Sequence, residues 1–253
     1  MTGLRGSAGT ALRLAVARDV AVSMTAERGT VASVVPGQRF LDPTGLDRPA
    51  GYSRLGLAID HRRRLGRFGW DSRIGVSLLT ERESLLGARW SASFGQGGGR
   101  TLFVDGAARM DFDRRWHIGA EWREGWSQTS ATGLIGGGST VRTRGWALDV
   151  GRTGLLVAND QLALRLAQPL RVESGGLMIN APIGYDYATL MATSGRVLLP
   201  LTPVGREHVV EAVWSAPAFG GRMTLNSYWR GQPGHIAAAP DDLGAAVRFN
   251  LGF

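Results

Sequence analysis

Apolar and polar residues alternate with a period of two in one segment of this chain after another. In RFGWDSRIGVSLL, Phe68, Trp70, Ile74, Val76 and Leu78 fall on one side, and Arg67, Asp71, Arg73 and Ser77 fall on the other. RTLFVDGAARMDF sets Leu102, Val104, Ala108, Met110 and Phe112 against Thr101, Asp105, Arg109 and Asp111, with Phe103 on the polar side. RRWHIGAEWRE sets Trp116, Ile118, Ala120 and Trp122 against Arg115, His117, Glu121 and Arg123. The same holds for Leu162, Leu164, Leu166, Leu170 and Val172 against Arg165 and Arg171, and for Met223, Leu225 and Trp229 against Arg222, Thr224, Asn226, Tyr228 and Arg230. At the carboxy end Ala245, Val247, Phe249, Leu251 and Phe253 alternate with Gly244, Ala246, Arg248, Asn250 and Gly252. Side chains alternate across a strand, so each segment reads as a strand with one greasy face. The pattern predicts eleven strands, at about 10–16, 19–26, 53–61, 67–81, 100–111, 115–127, 140–151, 160–180, 194–216, 220–231 and 243–253, or ten if residues 10–26 form one long strand.

The connections come in two kinds. HRRRLGR, DFDRR and APAFGGR are tight, whereas ERGTVASVVPGQRFLDPTGLDRPAG, SFGQGGGR, SQTSATGLIGGGST and YWRGQPGHIAAAPDD are long and rich in Gly, Ser, Thr and Pro. Outer-membrane barrels have this asymmetry, with short periplasmic turns and long extracellular loops. A soluble β-sandwich would also alternate, but its wet face would carry Lys, Glu and Thr. Here the polar faces carry arginine, and Trp70, Trp116, Trp122, Trp126, Trp214 and Trp229 cluster towards strand ends on or near the apolar faces, as an interfacial girdle requires. Each arginine facing lipid at midplane would cost about 2–4 kcal/mol. The arginines must therefore face a polar lumen and pair with acids there. The expected lumen residues are Arg67, Asp71, Arg73, Asp105, Arg109, Arg115, His117, Glu121, Arg123, Arg165, Arg222, Arg230 and Arg248.

Composition supports the choice. The 253 residues carry 29 Lys+Arg against 21 Asp+Glu, a formal charge of +8, with no long basic block beyond Arg62-Arg63-Arg64 and no nucleic-acid motif. Cysteine is absent, which removes disulfide frameworks and thiolate sites. No run of about 18 apolar residues could make a spanning helix. The opening MTGLRGSAGTALRLAVARDV is broken by Arg13, Arg18 and Asp19, so it does not read as a secretory signal.

Several stretches carry a family resemblance. QPLRVESGGL, TPVGREHVVEAVW and GQPGHIAAAPDDLGAAVRFNLGF follow one another in order, preceded by SLLGARWSASFG and GRTLF. Together they resemble the carboxy-terminal translocator barrel of subtilisin-like serine protease autotransporters, from about Phe40 onward. The resemblance implies a twelve-stranded, monomeric transmembrane antiparallel β-barrel in the outer membrane that exports a covalently linked upstream passenger. It implies contact with outer-membrane lipid and the barrel-assembly machinery, which would read Phe249, Leu251 and the closing Phe253. It also implies a first strand and a pore helix upstream of residue 1, so 1–253 is expected to be one translocator domain supplying about eleven strands.

Enzyme signatures are weak. SFGQGGGR lacks GxGxxG spacing, LIGGGST lacks the lysine of a phosphate loop, no serine sits in GxSxG, and His61, His117, His208 and His235 are never at metal-ligand spacing. No cofactor is expected, and any protease activity would belong to the passenger. A diffusion pore and a lipid-cleaving barrel are the alternative functions, separable by conductance and by lipid hydrolysis. In the full-length parent, Phe253→Asp should impair membrane assembly while leaving synthesis intact. Unchanged heat-modifiable migration and passenger exposure would count against the terminal signal.

Overall fold

A computed structural model of the chain describes residues 3–32, 50–89, 95, 97–113 and 115–251. Fourteen strands are present among them: β1 (Gly3–Ala17), β2 (Val20–Ala32), β3 (Ala50–Leu65), β4 (Phe68–Glu81), β5 (Ser84–Leu85), β6 (Ala88–Arg89), β7 (Gly99–Phe112), β8 (Trp116–Thr129), β9 (Thr140–Thr153), β10 (Gln161–Asp186), β11 (Met191–Pro200), β12 (His208–Ala218), β13 (Gly221–Gly231) and β14 (Asp242–Leu251). Twelve share one antiparallel sheet. Eleven of these follow one hydrogen-bonded path, β1-β2-β3-β4-β7-β8-β9-β10-β12-β13-β14, while β11 pairs only with the far half of β10. The short β5 and β6 form a separate hairpin, and a 3-10 turn spans Pro233–His235.

The period-two segments therefore become strands at the places expected, with two differences. The stretch 194–216 is not one strand. Pro200 ends β11, Pro203 has no N–H to give a ladder, and the chain resumes pairing only at His208. Long β10 accordingly pairs with β12 through Gln161 to Ala167 and with β11 from Gly176 to Asp186, so the far half of β10 and β11 project as a hairpin on the long-loop side. Second, the expected closed barrel is not formed: among the described residues β1 and β14 do not pair with each other. Neighbours on an antiparallel path alternate in direction, so the first and eleventh strands run the same way.

Burial is inverted relative to a water-soluble sheet. Residues paired across an antiparallel ladder share a face, and the register puts Leu57, Val76 and Val104 in one row, and Ile118, Val150 and Leu164 in another. This face is open: Leu55 is 61%, Ile74 69% and Leu164 46% exposed. The opposite face carries the polar residues and is the covered one, with Thr101, Ser127 and Thr143 almost fully buried around Phe103. Glycine makes that packing possible. A Cβ on Gly125 would stand 2.6 Å from the Phe103 ring, and one on Gly151 would stand 2.0 Å from His117, so both rings lie flat across a neighbouring strand only because nothing projects beneath them.

The β9–β10 turn is built around one carboxylate. Asp160 is fully buried and accepts the backbone N–H groups of Leu155, Leu156 and Val157 and the indole N–H of Trp214. Burial alone would raise its pKa, but the hydrogen bonds from Trp214 and the three amides win and hold it at about 2. The folded value lies below the ordinary 3.8 of the free group. Its stabilisation is therefore fully present above that ordinary value and is lost as pH falls through the folded one. Asp160→Asn should loosen this turn at neutral pH, seen as faster amide exchange at Leu155, Leu156 and Val157. The difference from wild type should shrink as pH falls from about 4 towards 2; an equal difference across that range would rule out the carboxylate as the anchor.

Candidate functional site

The covered face is a lattice of ion pairs. Arg62 reaches Asp71 at 2.5 Å, Arg64 bridges Asp71 at 3.6 Å and Asp111 at 3.1 Å, and Arg109 meets Asp111 at 3.1 Å. Asp60 takes Arg73 at 3.0 Å and Arg13 at 3.9 Å, together with the Ser23 hydroxyl. Asp105 takes Arg123 at 2.5 Å and Arg54 at 3.8 Å, and Glu121 takes Arg165 at 2.8 Å. Several of these pairs skip a strand: Arg54 on β3 reaches β7, and Arg165 on β10 reaches β8. A face whose side chains meet over an intervening strand is the inside of a curled sheet. A cavity of about 280 Å³ on this face is lined from β1, β3, β4, β7, β8 and β9, by Arg13, Asp60, Asp71, Arg109, Glu121 and Asp149 among others. Most of these arginines are half-exposed, so each pair alone contributes about 0–1 kcal/mol. Their shared carboxylates make them a network.

Of the residues expected in the lumen, Asp71, Arg73, Asp105, Arg109, Glu121, Arg123 and Arg165 belong to this lattice. His117 lies on the same face, but its partner is Asp149 at 3.9 Å, while Glu121 is held by Arg165. Arg222 donates to Ser215 at 2.8 Å, Arg230 to Glu207 at 2.8 Å and Arg248 to Asn250 at 3.1 Å. Arg67 and Arg115 are not strand residues. The chain reverses at each, Arg67 pairing with Asp113 in the next turn and Arg115 closing the β7–β8 turn with its N–H on Phe112 O. Their alternation continued the strand pattern one residue past its end.

On the apolar face Trp116, Trp122 and Trp126 stand exposed, and Trp229 does so while giving its indole N–H to Asp241 at 3.0 Å. Trp70 shares their face in the β4–β7 register. Trp214 is half-buried, tied to Asp160 rather than projecting freely. Phe249 and Leu251 project from the same face of β14, 44% and 52% exposed. Phe253 lies outside the described residues.

A second network, built around the buried Arg171 and Glu207, was not singled out from sequence. Arg171, 7% exposed, donates to Gly205 O at 3.0 Å, Pro203 O at 2.6 Å, Val172 O at 3.2 Å and Glu173 at 2.9 Å. Arg206 bonds Gln168 at 2.6 Å and Glu173 at 2.8 Å. Glu207, 3% exposed, receives Arg230 and the Gly234 N–H at 2.7 Å. His235 Nδ1 accepts the Glu207 N–H at 2.9 Å, which puts the ring proton on Nε2, 3.2 Å from Leu170 O. The stretches QPLR, GRE and PGH, far apart in the chain, thus converge in one network that ties the 201–207 segment to β10 and to the β13–β14 connection. Their order in the sequence was the available signal; their meeting was not readable from it.

No family model, curated protein or solved structure matches this chain.

Facing generates a paired test. Leu164→Arg puts a charge on the open apolar face and should cost about 2–4 kcal/mol of stability once that face meets hydrocarbon. Arg165→Gln, one residue along, removes one pair from the polar lattice at about 1 kcal/mol or less. Denaturant midpoints in lipid vesicles separate the two, and the reverse order would mean that the faces are assigned the wrong way round.

Proposed function

We propose that this chain is the membrane-embedded translocator of an autotransporter, a β-barrel in a bacterial outer membrane that carries a linked passenger to the cell surface. One observation carries the membrane part of the reading, the inverted burial. A sheet that gathers half-exposed arginines around the largely covered carboxylates of Asp60, Asp71, Asp105 and Asp111 on one face, and leaves Leu, Ile, Val and Trp open on the other along nearly every strand, matches lipid outside and water within. Tight turns on one side of the sheet and long connections on the other agree with that orientation.

Strand parity supports a barrel that needs one more strand. With β1 and β14 running the same way, one strand antiparallel to both closes the path and brings the eleven strands on it to twelve, an even number as in single-chain bacterial barrels. In hydrocarbon an open seam leaves unpaired backbone groups that cost several kcal/mol each, so closure is required for insertion. The translocator assignment rests on the resemblance of QPLRVESGGL, TPVGREHVVEAVW and GQPGHIAAAPDDLGAAVRFNLGF to that family, and the passenger would supply any protease activity.

Refolding the chain into liposomes with and without an added antiparallel strand tests the reading. Heat-modifiable, protease-resistant folding should appear with the strand and be poor without it. Equal folding of the bare chain would overturn the parity argument and leave a barrel; no folding into lipid under either condition would overturn the membrane reading itself.

A further inference from the structure

The open apolar face carries one cluster that breaks its own rule. On β9 the residues Arg142, Arg144, Trp146 and Leu148 alternate with the covered Val141, Thr143, Gly145 and Ala147, so both arginines project from the apolar face. The register pairs Arg142 with Trp126 and Arg144 with Glu124 on β8, and Trp146 with Trp122. Glu124, 4% exposed, accepts Arg142 and also Arg144 at 3.5 Å through the same oxygen. Two cations share one anion. The arginine side chains remain 45% and 42% exposed, although Nε of Arg144 is itself buried and has no hydrogen-bond partner among the described residues. The cluster sits at the long-loop end of the belt, where Arg100 projects from the same face of β7 beyond Leu102.

We infer that Arg142 and Arg144, braced by Glu124 and flanked by Trp122, Trp126 and Trp146, bind the phosphate of an anionic lipid headgroup seated in the leaflet on the long-loop side. The inference rests on the membrane reading above and adds a specific lipid class to it. Charge complementarity selects the occupant. A guanidinium presents parallel donors that match phosphate oxygens, indoles favour the boundary between acyl chains and headgroups, and the surplus positive charge is left facing outward. Glu124 keeps the pair from repelling and fixes both planes before the lipid arrives.

The probe is lipid A against the same lipid stripped of its phosphates, added to the folded protein in neutral detergent and followed by native mass spectrometry. If the bare chain does not fold, the closing strand is supplied. Heat-modifiable migration of the wild type reports separately on the membrane reading. Wild type should retain lipid A about fivefold better than the dephosphorylated lipid, the preference expected for one surplus basic charge near an anionic surface. The triple variant Glu124→Gln/Arg142→Gln/Arg144→Gln removes all three charges of the braced pair while leaving no carboxylate stranded, and it should fold with that preference gone. Arg165→Gln on the opposite face should keep it. A folded wild type that binds both lipids equally, or a triple variant that retains the preference, overturns the headgroup site and leaves the membrane reading intact. A wild type that never acquires heat-modifiable migration, even with the closing strand, overturns both.

Discussion

A polar face can be covered only if its charges neutralise one another where they stand. On this sheet, arginines and carboxylates from adjacent and next-but-one strands interlock, with Asp60, Asp71, Asp105 and Asp111 each holding two arginines. That arrangement lets the sheet curl with its charges inward, and the curl is what turns the leucines and tryptophans out. The small residues follow from the same need: rings such as Phe103 and His117 fill the inner surface by lying over glycines, where a larger residue would push the lattice apart.

Most of the sheet was legible in the sequence because period two is a local property. Each of the segments around Trp70, Met110, Trp122, Leu164 and Leu225 announces its own faces, and the register only has to align them. What failed was of two kinds. Strand ends were overrun, as at Arg67 and Arg115, since alternation does not say where pairing stops. The interruption at 201–207 was read through, although its Pro and Gly were visible, because the flanking apolar runs were long enough to bridge it. Closure could not be read either way from alternation; it depends on which edges meet.

The network around Arg171 and Glu207 was hidden for a different reason. Its members come from three separate stretches, and each looks ordinary alone: a Gln, a Glu, an Arg after a Gly, a His in a Pro-Gly turn. The bulge in β10 between Gln168 and Arg171 shifts Arg171 off the face of Arg165 and into register with Arg144, and the break after Pro200 brings the Pro203 and Gly205 carbonyls within its reach. The outward cluster at Glu124 was missed for the complementary reason. Alternation put Glu124, Arg142 and Arg144 on the apolar side, where a charge looks like an error in phase rather than a feature of the rim.

The strand order has a consequence for how the sheet comes into being. Except for the excursions through the β5–β6 hairpin and through β11, every strand on the path pairs with the one next to it in the chain, so each new ladder joins segments near one another in sequence. Loop closure costs little when the ends are near in sequence, and topologies rich in local pairings form faster than those built on distant ones. A meander of this kind can grow hairpin by hairpin in either direction from any starting pair. The slow joint in such a scheme is the one at β10, where a strand must hold its place until β11 has gone out and come back before β12 can arrive at its other edge.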